Sequence, residues 1–171
     1  MKVSMKKVVI SGMLAAVAVS MSAFSIPIGA SKCFPIQHLC NVVAAVFLGP
    51  VYGVGMAFVT SLIRNIMGTG SLLAFPGSMI GAWLGAMLYK HTGKLTFAYI
   101  GEVFGTGIIG GTLCYPVATL LMGKEAAIFA YVVPFLVSTA GGTAMAAVLI
   151  AALSHSGAFG YLNHILEGET R

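Results

Sequence analysis

The chain has 171 residues, 58% of them hydrophobic and only 8% charged, with nine Lys+Arg, four Asp+Glu and a formal net charge of +5. Soluble domains carry about a quarter charged residues, so this composition, with mean hydropathy +0.99, excludes a water-soluble globular protein and leaves a polytopic membrane protein. The basic residues do not cluster with interleaved aromatics, which excludes a nucleic-acid surface; they sit near helix ends, facing anionic lipid.

In chain order, Lys2, Lys6 and Lys7 precede an apolar run from Val8 to Ile26. That run is long enough to span a bilayer and reads as a retained first helix rather than a cleaved signal. Lys32 stands where a lipoprotein cleavage site before Cys33 would need a small residue. Gly12, Ala16 and Ser20 form a small-residue stripe at spacing four, and Ala18 and Ser22 a second; such stripes admit close helix approach. From Ile26 to Pro50, Pro27 and Pro35 forbid one continuous helix. Lys32, Gln37, His38 and Asn41 make this a polar stretch between oily ones, read as a lid or binding surface.

Ile36–Leu48 and Val51–Ile66 flank Gly49-Pro50. Two helices there, rather than one kinked helix, put both basic clusters on one side, as the positive-inside rule requires. Each is shorter than a bilayer core is thick. The third helix ends at Arg64-Asn65, before Gly68-Thr69-Gly70-Ser71. The fourth starts around Ala74 to Ser78, with Pro76 in its first turn, Gly77, Gly81 and Gly85 as a groove, and Trp83 beside them. It leaves the bilayer at Tyr89-Lys90-His91. The fifth, about Phe97 to Met122, contains Glu102 and Tyr115-Pro116, and Lys124-Glu125 marks an outer loop. The sixth runs Ala126–Leu153 through Tyr131 and Pro134. The tail from Ser154 reads as an interfacial cytoplasmic segment.

The expected fold is an all-α integral membrane protein of six transmembrane helices, one domain over residues 1–171, with cytoplasmic N- and C-termini. Lys2, Lys6, Lys7, Lys90, Lys94 and Arg171 then lie inside, and Lys32, Arg64 and Lys124 toward the outside.

Several chemistries are missing. The three cysteines, Cys33, Cys40 and Cys114, form no CxxC. Cys33 and Cys40 could bridge if both faced outside, but small polarizable filler is the reading taken. His38, His91, His155 and His164 show no metal-ligand spacing, so no metal and no cofactor are expected. Gly105-Thr-Gly-Ile-Ile-Gly110 matches a dinucleotide pattern but sits inside an apolar run, where helix packing explains it better. Gly123-Lys124 is followed by Glu125, so there is no Walker A loop. Glu102 is placed near the inner end of the fifth helix, with a structural hydrogen bond preferred over proton coupling.

The remaining polar groups converge on the outer side. Lys32, Gln37, His38 and Asn41 come from the first loop and second helix. Arg64, Asn65 and Thr69 come from the end of the third helix, Ser78 from the start of the fourth, and Tyr115 and Tyr131 from the outer halves of the last two. Few polar groups and several aromatics suit a small, flat, mostly neutral ligand.

Lys32-Cys-Phe-Pro-Ile-Gln-His38, with Asn41 and Leu48-Gly-Pro50, and the run Arg64-Asn-Ile-Met-Gly-Thr-Gly-Ser through Pro76-Gly-Ser-Met-Ile-Gly81, resemble the ThiW family. The resemblance covers nearly the whole chain. It implies a substrate-binding (S) component of an energy-coupling factor (ECF) vitamin importer, with a six-helix bundle and a ligand site near the outer face capped by the first loop. It implies hydroxyethylthiazole, a thiamine precursor, as substrate, and a transmembrane coupling subunit and two ATPase subunits as partners. Helix 1 would dock on the coupling subunit. S-components commonly show an Ala-xxx-Ala stripe there; Gly12, Ala16 and Ser20, or Ala18 with Ser22, stand in its place. Two alternatives are a stand-alone secondary transporter of a small neutral aromatic solute and an integral-membrane enzyme using Glu102 and His38. The expected opposite membrane faces of those two residues argue against the enzyme.

Overall fold

Proline and glycine set the helix boundaries in the computed structural model, which describes residues 3–28 and 31–167. The described residues form α1 (Met5–Ser20, extended by one tighter turn, Met21–Ala23), β1 (Ile26–Ile28), β2 (Ser31–Cys33), α2 (Pro35–Phe47), α3 (Pro50–Ile66) and α4 (Ala74–Thr92). There follow α5 (Leu95–Leu121), α6 (Val132–His155) and α7 (Ala158–Glu167). Pro35 and Pro50 each occupy the first turn of a helix, where the missing N–H costs nothing. Gly49 turns the chain between α2 and α3 at φ 84°, a conformation that favours glycine, so these are two helices and not one kinked helix.

Side-chain pairing fixes the direction of each helix. Ala44 lies by Gly53 and Gln37 bonds Ser61, so α2 and α3 are antiparallel. Ser61 bonds the Ala74 carbonyl and Asn65 the Ser71 carbonyl, so α3 and α4 are antiparallel. Gly81 meets Gly105 and Gly85 meets Gly101 along antiparallel α4 and α5. Gly107 meets Leu136 and Gly111 meets Val132 along antiparallel α5 and α6. Ser4 bonds Tyr52 and Ser22 bonds Thr69, so α1 runs parallel to α3. Six helices therefore alternate in direction. Lys6, Lys7, Lys90 and Lys94 fall at one end of the bundle, and Lys32, Arg64 and Lys124 toward the other. The amphipathic α7 closes the first end: Phe159 packs on Phe47 at 5.1 Å between ring centroids, Leu166 is buried, and the Ile165 carbonyl accepts from Lys6 Nζ.

The glycines of the Gly105–Gly110 pattern are contact points of this packing. A Cβ at Gly105 would come within 2.9 Å of Gly81 Cα, and one at Gly107 within 2.9 Å of Leu136 Cγ. The α5 backbone widens into π-type turns over Val103–Gly110 and Val117–Leu121.

Among the described residues three stretches are long and apolar enough to cross a membrane: Met5–Ala23, Leu95–Leu121 and Val132–His155. With 13 residues, α2 is about 20 Å long, and α3, with 17, about 25 Å.

The structure corrects two expectations. The chain is mostly helical rather than wholly so. Pro27 stops the first helical stretch short of Ile26, and residues 26–28 and 31–33 pair as an antiparallel ribbon, Ile26 with Cys33 and Pro27 with Lys32. The sixth helix begins at Val132 and not at Ala126, because Pro134 is tolerated in a first turn and disruptive inside a helix. The three cysteines are free and buried, in line with their reading as small filler and with no Cys33–Cys40 bridge.

Candidate functional site

A cavity of about 410 Å³ opens at the ribbon end of the bundle. Pro27, Lys32 and Phe34 contribute from the ribbon and the residue after it. The loop from Gly68 to Ser71 forms one side and Phe135 and Ser138 of α6 another. Gln37, His38, Ser78 and Thr106 line it from α2, α4 and α5, and Lys124 adds a charge.

The ribbon is anchored deep in the bundle. Cys33 Sγ donates to the Pro134 carbonyl at 3.1 Å, and the Phe34 N–H donates to Ser138 Oγ at 2.8 Å. Ser138 is six residues into α6, so α2 begins about 9 Å below the end of that helix. Gly142 permits this: a Cβ there would overlap the Pro35 carbonyl and lie 2.7 Å from His38 Cβ. The short α2 thus carries its polar first turns into the middle of the bundle.

A buried hydrogen-bond network holds the inner wall. Gln37 Nε2 donates to Ser78 Oγ at 2.9 Å, and its Oε1 accepts from Arg64 Nη1. Arg64 also donates to the Thr69 carbonyl and stacks its guanidinium 3.6 Å from the centre of the Phe34 ring. Asn41 Nδ2 donates to Ser78 Oγ and to Glu102 Oε1, each at 3.0 Å. The same Glu102 oxygen receives Thr106 Oγ1 at 3.1 Å and lies 2.9 Å from His38 Nδ1. An Nδ1–H donating to this carboxylate leaves His38 Nε2 without a protein partner, on a side chain that lines the cavity. Glu102 Oε2 and Arg64 Nε are buried without a hydrogen-bond partner.

This geometry overturns the separation of His38 and Glu102. Residue counting put Glu102 near one end of α5 and His38 near the other end of α2. The recessed start of α2 brings them together, and Glu102 is fully buried. Gly81 makes the space, since a Cβ there would overlap Thr106 Oγ1 and lie 2.7 Å from Glu102 Oε2.

Of the residues expected from sequence, Lys32, Gln37, His38, Arg64, Thr69 and Ser78 share the cavity lining. Asn41 lies behind the lining, fully buried, bracing Ser78 and Glu102. Asn65 donates to the Ser61 and Ser71 carbonyls and closes the α3–α4 loop. Tyr115 does not line the cavity. Tyr131 is buried in a separate apolar cluster with Leu73, Cys114 and Ala118. The cavity also uses Phe34, Thr106, Phe135 and Ser138, which sequence reading did not single out. Only Phe34 carried a signal, lying between Lys32 and Gln37.

On α1, Ala15, Ala18 and Ser22 face inward, whereas Gly12, Ala16 and Ser20 are exposed, and no atom lies within 4 Å of a Cβ built on Gly12. Among the described residues no group of three or more His, Cys, Asp or Glu side chains could hold a metal ion.

Compared with known families, residues 8–156 match the model described as thiamine-precursor transporter protein (ThiW). No curated protein matches the chain, and no solved structure does.

Proposed function

The chain belongs to the ThiW family of thiamine-precursor transporters, and on that premise we propose that it is the substrate-binding component of an ECF-type importer. It is a membrane transporter and not an enzyme. In this reading a single domain crosses the cytoplasmic membrane six times, with both termini inside. It captures a thiazole precursor of thiamine at the outer face, for which the family resemblance implies hydroxyethylthiazole. A transmembrane coupling subunit and two ATPase subunits drive uptake.

The observation that carries the reading is the ribbon-capped cavity with a polar inner wall, at the end of the bundle opposite Lys6, Lys7, Lys90 and Lys94. The positive-inside rule turns that cavity outward. The sequence holds no nucleotide-binding loop, so ATP energy would have to come from other chains. The exposed small residues of α1 offer a face for close helix contact. Uptake measured in cells with and without the coupling and ATPase subunits tests the assignment. Uptake only with the partners supports it; equal uptake by the chain alone contradicts it.

One observation favours a second reading, a self-sufficient proton-coupled transporter. The buried His38–Glu102 pair is of the type that relays protons inside membranes. Uptake by proteoliposomes containing this chain alone, driven by a pH gradient, separates the two.

A further inference from the structure

We infer that the cavity takes a ligand bearing an anionic substituent, seated against the Arg64 guanidinium, rather than an uncharged heterocyclic alcohol. This rests on the reading of the chain as a thiamine-precursor binding component, and within that class it replaces the uncharged alcohol, hydroxyethylthiazole, by an anionic relative.

Arg64 is 1% exposed. A guanidinium keeps its charge at any ordinary pH, and buried arginines are normally matched by a carboxylate. Among the described residues no carboxylate pairs with Arg64. Glu102 is committed to His38, Asn41 and Thr106. The partners of Arg64 are all neutral: the Gln37 amide oxygen, the Thr69 carbonyl and the face of Phe34. Its Nε is buried and unpartnered. Five N–H donors in a planar fork are therefore met by two neutral acceptors, at the edge of an open cavity.

The cavity lining adds positive charge, and the one carboxylate close behind it, Glu102, is held by His38, Asn41 and Thr106. Lys32 and Lys124 line the same cavity, and among the described residues no Asp or Glu does. Carboxylates and phosphates accept two parallel N–H···O bonds from one guanidinium, which a hydroxyl cannot do. Two exposed lysines near that position draw anions in and supply point charges. At about 410 Å³ the cavity is larger than one five-membered ring with a two-carbon arm needs, leaving room for the anion.

The anion could be a phosphate monoester of the hydroxyethyl arm or a carboxylate in its place. Calorimetric titration of the purified full chain with the thiazole alcohol, its phosphate monoester and the matching thiazole carboxylate decides. The expected result is that one anion binds at least about tenfold more tightly than the alcohol, with affinity falling as salt rises. Which anion wins identifies the substituent. Arg64→Gln should remove the advantage, and Arg64→Lys should keep part of it. Should Arg64→Gln fail to fold, the double variant Lys32→Gln/Lys124→Gln, altered only at exposed positions, should still weaken anion binding and flatten its salt dependence. Alcohol binding as tight as that of either anion overturns the inference and leaves the proposed function standing. Binding of none of the three overturns both.

Discussion

His38 Nδ1 lies 2.9 Å from Glu102 Oε1, joining the second and fifth helices across 64 residues of sequence. The contact ties the cavity lining to the centre of the bundle. Glu102 Oε1 also serves Asn41 and Thr106, so one carboxylate oxygen holds three side chains of α2 and α5.

Removing that carboxylate takes an acceptor from three buried side chains and strands His38 Nδ1, while Asn41 keeps Ser78 and Thr106 keeps the Gly77 carbonyl. Glu102→Ala should therefore destabilise the protein by about 3–5 kcal/mol, the usual cost of breaking a buried pair from one side. Glu102→Gln keeps an acceptor oxygen and should cost clearly less. Thermal unfolding in detergent measures both; a Glu102→Ala midpoint equal to that of the parent protein would show that the network carries no stability.

Gly81 and Gly12 make a matched test of packing. A methyl at Gly81 collides with Thr106 and Glu102, whereas one at Gly12 meets nothing. Gly81→Ala should cost about 1–3 kcal/mol through overpacking, and Gly12→Ala should stay within about 0.5 kcal/mol of the parent. Similar unfolding of both variants contradicts the close approach of α4 and α5.

The exposed face of α1 is separable from the cavity. Ala16→Trp should leave ligand binding by the isolated chain intact while reducing co-purification with a coupling subunit and uptake by the assembled complex. Normal uptake would remove this face from the interface, and loss of ligand binding would mean that it packs internally.

Orientation can be read by thiol labelling. Cys33 is buried, donates to the Pro134 carbonyl, and its thiol is pushed above its ordinary pKa by that burial. It should react slowly with an impermeant reagent, faster as rising pH increases the thiolate fraction. Lys32→Cys, one residue away and exposed, should label readily from outside whole cells, and Lys94→Cys should not. Labelling at 94 from outside contradicts cytoplasmic termini.

Much of the architecture was legible because its signals are local. The scarcity of charge places the chain in a membrane, Gly49-Pro50 marks a turn, and the split of basic residues matches the two ends of the bundle. The ribbon was not legible: three-residue strands carry no usable periodicity, and Pro27 signals only where a helix cannot continue. In sequence the sixth helix reads from Ala126 through Pro134 because the apolar run is continuous there, whereas the proline belongs to the helix's first turn. In the site, Lys32, Gln37, His38 and Arg64 were legible as polar residues in oily surroundings. Glu102 was misplaced because counting residues from a helix end measures position along that helix, not the depth at which a recessed neighbour begins. Tyr131 has the chemistry of a ligand contact, but it fills an apolar cluster instead.

The central claim is that the ribbon-capped cavity is where the transported precursor binds. Calorimetry on the purified chain, without ATP or partner subunits, tests it most directly when wild type is compared with Ala74→Trp, which fills the cavity from the first turn of α4. The account predicts saturable binding of a thiazole ligand, one per chain, abolished in Ala74→Trp protein that unfolds at the wild-type temperature. Undiminished binding by that folded variant would place the site elsewhere.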